Sequence, residues 1–397
     1  MSFTSFGLHP DLLRGVDAVG FTVPTPIQEE AVPPAMTGRD VLACAVTGSG
    51  KTAAYLLPIL QRLMTGRRGV TRALVLAPTR ELAAQIDEHR QQLARYARVG
   101  GAVVVGGLAM GPQEQAFRRG AEVLVATPGR LLDHLRHPYA RFHGLEVLVL
   151  DEADRMLDLG FLPDIRRILR HLPAGRQGLL FSATMPAPIA VLAREMLSQP
   201  VAIGVDAAAT PAARISHTAY PVAAELKSAL LLDLLRAPDL RSVLAFTRTK
   251  HRADRLASFL ARHGVPSERI HGNRSQSQRT SALSGFKAGR FRVLVATDIA
   301  ARGIDIDGLS HVVNFDVPNV PDDYIHRVGR TARVDASGAA FTFVSPDEES
   351  SLRTIERALR TRIERAVPER PRRGHHVPDA GSIGRSRVHR VFEVPGS

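Results

Sequence analysis

The sequence is poor in the residues that crosslink a fold or anchor it in a membrane. It contains one cysteine, Cys44, and no tryptophan among 397 residues. A single cysteine excludes an intramolecular disulfide and any metal site built from several cysteines. No apolar run approaches the ~20 residues of a membrane-spanning helix, and residues 1–6 lack the basic and apolar regions of a signal peptide. We therefore expect a cytoplasmic protein.

Lysine is also scarce, although the chain is strongly basic. Lys and Arg total 52 against 39 Asp and Glu, a formal net charge of +13, and this excess indicates a polyanionic partner. Only four of the basic residues are lysines, at positions 51, 227, 250 and 287. The planar arginine side chain suits phosphate, but the same bias fits a GC-rich genome, so both explanations stay open. Each remaining lysine marks a candidate position for a compact point charge.

Short apolar runs rich in β-branched residues alternate with longer helix-like stretches. This is the βαβ pattern of an α/β fold with a parallel sheet. The segment 206–213 has no apolar period and is interpreted as an interdomain linker, with a surface loop of one large domain as the alternative. From about Ala366 onward the composition predicts a disordered tail. The predicted strands are Val41–Ala45, Ala73–Ala77, Ala102–Val105, Glu122–Ala126, Glu146–Leu150, Leu179–Phe181, Ser242–Phe246, Arg292–Ala296, His311–Phe315 and Ala340–Val344.

A glycine-rich turn follows the first predicted strand and precedes an apolar, helix-like stretch. Its sequence is Ala45-Val46-Thr47-Gly48-Ser49-Gly50-Lys51-Thr52. Glycines bring backbone N–H groups close to a phosphate and the following helix adds positive potential, so the turn predicts a phosphate-binding loop. Lys51 is placed to hold the β- and γ-phosphates, and the Thr52 hydroxyl to ligate Mg²⁺. Ala45 stands where the general pattern has its first glycine.

An acidic turn, Asp151-Glu152-Ala153-Asp154, follows the apolar run 145–150. Asp151 is placed to bind Mg²⁺, in part through water. Glu152 is placed to orient and deprotonate an attacking water. Alone, such a turn is more often the solvated start of a helix. Together with the phosphate-binding loop it predicts nucleotide hydrolysis.

The acidic turn is also the namesake motif of a known family, the DEAD-box RNA helicases, which this chain resembles from Phe3 to about Val344. Gly20-Phe21 and Pro24–Gln28 resemble the family's Q motif. An amide such as Gln28 pairs with both the donor and the acceptor on the adenine edge, and Phe21 is the candidate to pack on the base. The resemblance implies ATP and Mg²⁺ as cofactors, with the nucleotide held by Ala45, Thr47, Gly48, Ser49, Gly50, Lys51 and Thr52.

Further motifs that resemble the family's follow in order on both halves of the chain. They are Pro78–Ala83, Gly106-Gly107, Thr127–Arg130, Ser182–Thr184, Phe246–Arg248, Gln276–Arg279, Thr297–Asp305 and His326–Arg333. Two positions depart from the usual pattern. Ala332 stands where glycine is usual between the two finger arginines, and Val46 stands where a polar residue is common in the phosphate loop. Neither change removes a catalytic group.

The resemblance implies a role for each motif. Arg330 and Arg333 are implied as arginine fingers that act with Lys51, Asp151 and Glu152, although two arginines in isolation fit a solvated helix face. Asp305 is implied at the nucleotide. The residues implied to couple ATP to RNA are Asp154, Ser182, Thr184 and His326. The implied RNA contacts, to phosphate and 2′-OH groups, are Thr79, Arg80, Gly107, Thr127, Arg130, Thr247, Arg248, Arg279 and Thr297.

The resemblance implies an α/β fold of two tandem RecA-like parallel-sheet domains joined by a short flexible linker. The expected ATP-binding domain is 1–206, with the Q motif in 1–29. The expected second helicase domain is 207–365, and 366–397 is the basic tail.

The expected function is ATP-dependent, sequence-independent unwinding or remodelling of structured RNA. An aromatic content of 5% argues against stacking platforms as the main mode of RNA binding. The alternatives are an ATP-gated RNA clamp with little strand separation, and a DNA translocase on the same fold. The first residues look like a bacterial branch that remodels ribosomal and messenger RNA, so ribosome-assembly or RNA-decay complexes are candidate partners.

Overall fold

Two seven-stranded sheets organise the chain, and all neighbouring strands run parallel. The computed structural model describes residues 2–46, 48–205, 215–238, 240–301, 309–331 and 338–366. The strands of the first sheet are β1 (Val41–Cys44), β2 (Ala73–Leu76), β3 (Gly101–Val104), β4 (Val123–Ala126), β5 (Val147–Leu150), β6 (Gln177–Ser182) and β7 (Val201–Ile203). Those of the second sheet are β8 (Ile215–Pro221), β9 (Val243–Phe246), β10 (Ser267–Ile270), β11 (Val293–Ala296), β12 (His311–Asn314), β13 (Gly338–Val344) and β14 (Glu364–Arg365).

Helices connect the strands of each sheet. In the first half of the chain, residues 2–205, they are α1 (Pro10–Ala18), α2 (Pro26–Met36), α3 (Lys51–Leu63), α4 (Arg80–Leu93), α5 (Met110–Arg118), α6 (Pro128–Leu135), α7 (Ala153–Asp158), α8 (Leu162–Leu169) and α9 (Ala187–Met196). In the second half, residues 215–366, they are α10 (Lys227–Leu234), α11 (Lys250–Arg262), α12 (Gln276–Lys287), α13 (Asp298–Ala301), α14 (Pro321–Val328) and α15 (Glu349–Leu359). Short 3₁₀ helices cover Phe3–Phe6, Ala224–Leu226 and Pro346–Glu348.

The central strands are buried on both faces, which explains their continuous apolar sequence. Every residue of β2 is 0% exposed. Ala73 and Val75 pack into one hydrophobic cluster, whereas Leu74 and Leu76 pack into another on the opposite face. This alternation follows from the period of two in a strand.

Strand order determines which turns meet. The first sheet has the order β3-β4-β2-β5-β6-β1-β7, and the second has β10-β11-β9-β12-β13-β8-β14. In the first sheet β5, β6 and β1 are therefore neighbours, and their carboxyl ends lie side by side. In open parallel sheets ligands bind at this edge, where the turns after Leu150, Ser182 and Cys44 meet.

The predicted fold class is confirmed, and all ten predicted strands are present with small differences at their ends. Four strands were missed: β7, β8, β10 and β14. Three of them lie at sheet edges, where one side has no strand partner and polar sequences such as that of β10 are tolerated. The predicted linker and all but the first residue of the predicted tail lie outside the described residues. None of the helices in the described ranges combines the length and the apolar sequence that a bilayer span requires.

Candidate active site

The predicted phosphate-binding loop lies between β1 and α3. Gly48 and Gly50 adopt left-handed backbone angles, with φ of 81° and 94°, a conformation that glycine enters without steric cost. Lys51 is the first residue of α3 and is 6% exposed. Its Nζ donates to the Ala45 carbonyl at 2.8 Å, so the ammonium is folded back over the loop. Ser49 and Thr52 lie beside these residues, whereas Thr47 lies outside the described residues.

The Q motif contacts this loop directly. Gln28 is 3% exposed, and its Nε2 donates to the Gly50 carbonyl at 3.1 Å while its Oε1 accepts from the Thr25 N–H at 3.0 Å. The amide therefore both caps α2 and orients the loop, which a surface helix residue does not do. Phe21 stacks on Phe3 with ring centroids 6.2 Å apart.

Asp151 lies at the end of β5 with one of its carboxylate oxygens unsatisfied. The side chain is 2% exposed, and Oδ2 accepts from the Tyr55 hydroxyl at 2.8 Å. Oδ1 is buried and has no hydrogen-bond partner among the described residues. Burial raises the pKa of Asp151 to about 6, with Lys51 opposing and Glu152 adding to the increase. A buried carboxylate oxygen without a donor is a suitable ligand for a hard cation, so Asp151 fits a Mg²⁺ site.

Tyr55 is a further residue of this site that no sequence motif indicated. It is 0% exposed, lies one turn after Lys51 on α3, and its hydroxyl interacts with both Asp151 and Thr52. Those are the two predicted Mg²⁺ ligands. The only signal in the sequence was a tyrosine within the apolar stretch that follows Lys51 and Thr52.

Glu152 is held in a strained backbone conformation. Its φ and ψ are 52° and 54°, and left-handed angles cost a non-glycine residue on the order of 1–3 kcal/mol. The side chain is 5% exposed and accepts from Arg155 Nη1 at 2.9 Å. Arg155, a buried residue that the sequence analysis did not single out, thus orients the predicted catalytic base.

Asp154, Ser182 and Thr184 form one hydrogen-bonded unit. Asp154 N–H donates to Ser182 Oγ at 3.1 Å, and Asp154 Oδ2 accepts from the Thr184 N–H at 2.8 Å and the Thr184 hydroxyl at 2.9 Å. Burial alone would raise the pKa of Asp154, but Lys51, His326 and the Thr184 hydrogen bonds outweigh it and lower the pKa. The structure thus brings three of the four predicted coupling residues into contact.

The fourth coupling residue, His326, approaches this unit from α14 in the second half of the chain. Burial lowers the pKa of His326; Arg155 and Arg330 lower it further, whereas Asp154 and Glu152 raise it. Its Nδ1 is buried without a hydrogen-bond partner among the described residues. Arg330, 4% exposed, lies in the same region. Arg333 and Asp305 lie outside the described residues.

The predicted RNA contacts of the first half lie on neighbouring turns. Thr79 caps α4 by accepting from the Leu82 N–H at 3.2 Å. The Arg80 guanidinium lies against Gly107, where a Cβ atom would collide with it. Thr127 directly precedes α6, and Arg130 donates to the Leu108 carbonyl at 2.8 Å.

The predicted RNA contacts of the second half are largely engaged with acidic residues. Arg248 is 41% exposed and donates to Glu348 at 2.8 Å, and its N–H donates to Asp316 at 2.8 Å. Arg279 forms an ion pair with Glu81, on α4 of the first half, at 3.0 Å. Thr247 is fully buried, and Thr297 starts the turn into α13.

Two family models match the chain in order. The DEAD/DEAH box helicase model matches residues 25–191, and the helicase conserved C-terminal domain model matches residues 226–335. The DEAD-box ATP-dependent RNA helicase CshA of Geobacillus kaustophilus is 42% identical over 369 residues, 92% of this chain and 78% of that protein. The protein of the same name from Bacillus subtilis is 40% identical over 365 residues, 92% of this chain and 74% of that protein.

Solved structures agree with these matches. S. cerevisiae Dbp5 bound to RNA and ADP BeF3 superposes with a TM-score of 0.83 at 31% identity, covering 92% of this chain and 95% of that chain. The DEAD-box helicase Mss116 bound to ssRNA and UDP-BeF superposes with a TM-score of 0.83 at 27% identity, covering 93% and 80%. The matched family models, the identity over nine-tenths of the chain and the shared two-sheet fold show that this protein belongs to the DEAD-box ATP-dependent RNA helicases.

Proposed function

We propose that this chain couples ATP binding and hydrolysis to local, sequence-independent separation or remodelling of structured RNA, in the cytoplasm, through closure of two domains, 1–206 and 207–365. One observation carries the proposal. Asp154 receives the hydrogen bonds of Thr184 and lies close enough to His326 of the second half for each to shift the other's pKa. The acidic turn is thus connected both to the Ser182–Thr184 turn and to the second half of the chain.

ATP binding begins at the loop between β1 and α3. Lys51 now donates to the Ala45 carbonyl, and a phosphate oxygen would take over this hydrogen bond as a stronger, charged acceptor. The N-terminus of α3 adds N–H donors and positive potential. Gln28 lies at the same loop through Gly50, so recognition of the adenine edge and closure of the loop around phosphate involve one side chain.

Thr52 and Asp151 are the residues that would hold Mg²⁺. When bound there, Mg²⁺ would neutralise the charge that develops on the β- and γ-phosphates. Tyr55 donates to Asp151 Oδ2, which fixes the carboxylate and leaves Oδ1 as the oxygen without a protein donor among the described residues. The hydroxyl of Tyr55 therefore orients the Asp151 carboxylate and does not itself bind the phosphates.

Hydrolysis needs residues from both halves of the chain. Glu152 accepts the proton of the attacking water, and its ion pair with Arg155 keeps the carboxylate in one orientation. Arg330 and Arg333, from the second half, donate to the γ-phosphate in the transition state, where stabilisation of charge contributes most to catalysis. The catalytic set is complete only when both halves meet, which makes closure a hinge-type switch.

RNA would lie across the turns of both halves and contact them by phosphate and 2′-OH groups. Such contacts carry no sequence information and discriminate RNA from DNA. Because RNA and ATP both favour the closed arrangement, each increases the affinity for the other by the same factor.

Strand displacement tests the proposal. Short duplexes of RNA and of DNA, with ATP and Mg²⁺, are followed for ATP hydrolysis and release of the labelled strand. We expect RNA-dependent hydrolysis and displacement of the RNA duplex. Equal displacement of the DNA duplex would contradict the RNA assignment. RNA-stimulated hydrolysis without displacement would favour a clamp.

A further inference from the structure

A buried polar network supports one turn of the predicted RNA face. The turn consists of Gly106, Gly107, Leu108 and Ala109, which connect β3 to α5. The network consists of Gln113 on α5, His134 on α6 and Tyr139, which follows α6. Gln113 is 5% exposed and His134 is 0% exposed, yet neither belongs to a motif singled out from the sequence.

Gln113 hydrogen-bonds to the backbone on both sides of the turn. Its Oε1 accepts from the Val105 N–H at 3.1 Å, and its Nε2 donates to the Val105 carbonyl at 3.1 Å and to the Ala109 carbonyl at 3.0 Å. β3 is an edge strand, so the chain that continues past Val104 has no strand on its outer side. The amide of Gln113 takes the place of that missing strand by hydrogen-bonding to Val105, the residue before the turn. It also hydrogen-bonds to Ala109, the last residue of the turn.

His134 and Tyr139 fix the orientation of this amide. His134 Nε2 lies 3.3 Å from Gln113 Oε1, and Nδ1 lies 3.0 Å from the Tyr139 hydroxyl. Because Oε1 is an acceptor, Nε2 carries the proton and Nδ1 accepts from Tyr139. Burial lowers the pKa of His134, with Arg130 and His137 adding to the decrease, so the ring is neutral at pH 7 and each polar atom named has a partner.

The carbonyl groups around the turn are consequently engaged by donors inside the protein. Those of Val105 and Ala109 accept from Gln113, and that of Leu108 accepts from Arg130. A carbonyl oxygen directed at an RNA phosphate would repel it. Gly107 adopts a φ of 76° beneath the Arg80 guanidinium. The turn is thus held by two side chains, Gln113 through the Ala109 carbonyl and Arg130 through the Leu108 carbonyl.

We infer that Gln113, supported by His134 and Tyr139, is a positioning residue for RNA: it preorganises the Gly106–Ala109 turn and, through His134, links it to α6, the helix whose first turn carries Arg130. This inference rests on the proposed RNA-dependent ATPase. A turn that is already in its binding conformation does not pay an ordering cost when RNA binds. Loss of the network should therefore weaken RNA binding while leaving nucleotide binding unchanged.

Gln113→Glu tests the inference, because it keeps the size of the side chain and replaces the donor by an acceptor that faces two carbonyls. Gln115→Glu is the matched control, since it makes the same change in charge on the exposed face of the same helix. We expect Gln113→Glu to raise the KM for single-stranded RNA in the ATPase assay by roughly tenfold, the loss expected for one or two hydrogen bonds. The KM for ATP and the kcat at saturating RNA should stay within about twofold of wild type.

Two further measurements keep the test decisive. Gln113→Met removes the hydrogen bonds of the amide without adding charge. Tyr139→Phe removes only the hydroxyl that bonds to His134. For both variants, the KM for RNA should rise less than in Gln113→Glu and more than in Gln115→Glu. An RNA KM for Gln113→Met within twofold of wild type, or an equal rise in the KM values for RNA and ATP, would overturn the inference. Failure of wild type to show RNA-dependent ATPase would instead overturn the proposed function.

Discussion

The proposed nucleotide side and the proposed RNA side of the molecule differ in how their polar groups are satisfied. On the nucleotide side, Asp151 Oδ1 and His326 Nδ1 are buried without partners among the described residues, and Glu152 has a strained backbone. On the RNA side, the guanidinium groups of Arg130, Arg248 and Arg279 contact carbonyls or carboxylates of the protein, and of these three groups only that of Arg279 also has a buried nitrogen, Nε, without a hydrogen-bond partner among the described residues. We propose that the first surface is completed by its ligand, whereas the second is largely preformed.

This difference has energetic consequences. A buried polar group without a partner costs on the order of 1–3 kcal/mol, and a ligand that satisfies it recovers that free energy. Removing one such group should therefore weaken one step of the reaction by roughly fivefold to a hundredfold. A preformed surface instead divides its binding energy among many contacts. The substitution of one residue there should therefore weaken RNA binding only modestly, or destabilise the fold.

The largest effect is expected at Glu152. Glu152→Gln keeps the shape of the side chain and removes the base, so ATP should bind normally while kcat falls by about 10²–10⁴-fold. Glu195→Gln, on α9 and paired with Arg166 at the surface, is the matched control and should hydrolyse ATP at the wild-type rate. Single-turnover hydrolysis and nucleotide affinity, measured separately, check this. Turnover by Glu152→Gln within tenfold of wild type would refute the assignment of the base.

The next largest effect is expected at Lys227, which supports the RNA side from inside the second half of the chain. Lys227 is 1% exposed, and its Nζ donates to Glu348 and to the carbonyls of Phe315 and Phe343. Glu348 in turn accepts from Arg248. Lys227→Met leaves a buried carboxylate without its main partner, so the free energy of unfolding should fall by about 3–5 kcal/mol. Denaturant unfolding measures this loss, and Lys250→Met, at an exposed lysine, is the control.

The ion pair between Lys227 and Glu348 also predicts that the free energy of unfolding depends on pH. Burial alone would raise the pKa of Glu348, but the hydrogen bond and charge of Lys227 outweigh it and hold the pKa below its usual range. The stabilisation is therefore present above the unfolded-state pKa and is lost as the pH falls through the lower folded-state pKa. The difference in stability between wild type and Lys227→Met should be largest at neutral pH and should shrink on acidification. A difference that grows toward low pH would contradict this arrangement.

A smaller effect is expected at Tyr55 on the nucleotide side. Tyr55→Phe removes one oxygen, the donor to Asp151 Oδ2, and should raise the Mg²⁺ concentration needed for tight nucleotide binding by roughly threefold to tenfold. Nucleotide affinity without Mg²⁺ should not change. The measurement is a Mg²⁺ titration of fluorescent nucleotide binding, with Tyr220→Phe in the second sheet as control. Equal Mg²⁺ requirements in the two variants would show that the hydroxyl does not orient the carboxylate.

The smallest effect is expected for the tail. We propose that residues 367–397, outside the described part of the chain, tether RNA without specificity through their basic side chains. Truncation after Ala366 retains the hydrogen bond from its N–H to the Ala219 carbonyl. The truncated protein should bind RNA slightly more weakly, with a modestly flatter dependence on salt. An unchanged salt slope would show that the tail contributes nothing.

The sequence predicted the elements whose physical signal is local. Buried parallel strands such as β2 and β5 are continuous apolar runs, and the turns after β1 and β5 carry their predicted ligand-binding residues in consecutive positions. The edge strand β10 has no such signal, because its polar residues are interpretable only when its single neighbour is known. The same holds for Tyr55 and Gln113. Tyr55 contacts Asp151 and Gln113 contacts His134, and only the packed structure brings those residues together. Arg155 is different, because it lies three residues after Glu152, a spacing at which side chains on a helix meet.

The affinity of Glu152→Gln for single-stranded RNA, measured with and without ATP and Mg²⁺, tests most directly whether ATP binding and RNA binding are coupled. If the second half completes the nucleotide site and RNA spans both halves, ATP should tighten RNA binding by at least about tenfold, and RNA should tighten ATP binding by the same factor. DNA of the same sequence should show much weaker coupling. Equal RNA affinities with and without ATP would contradict the coupling of the two sides through Asp154, Thr184 and His326.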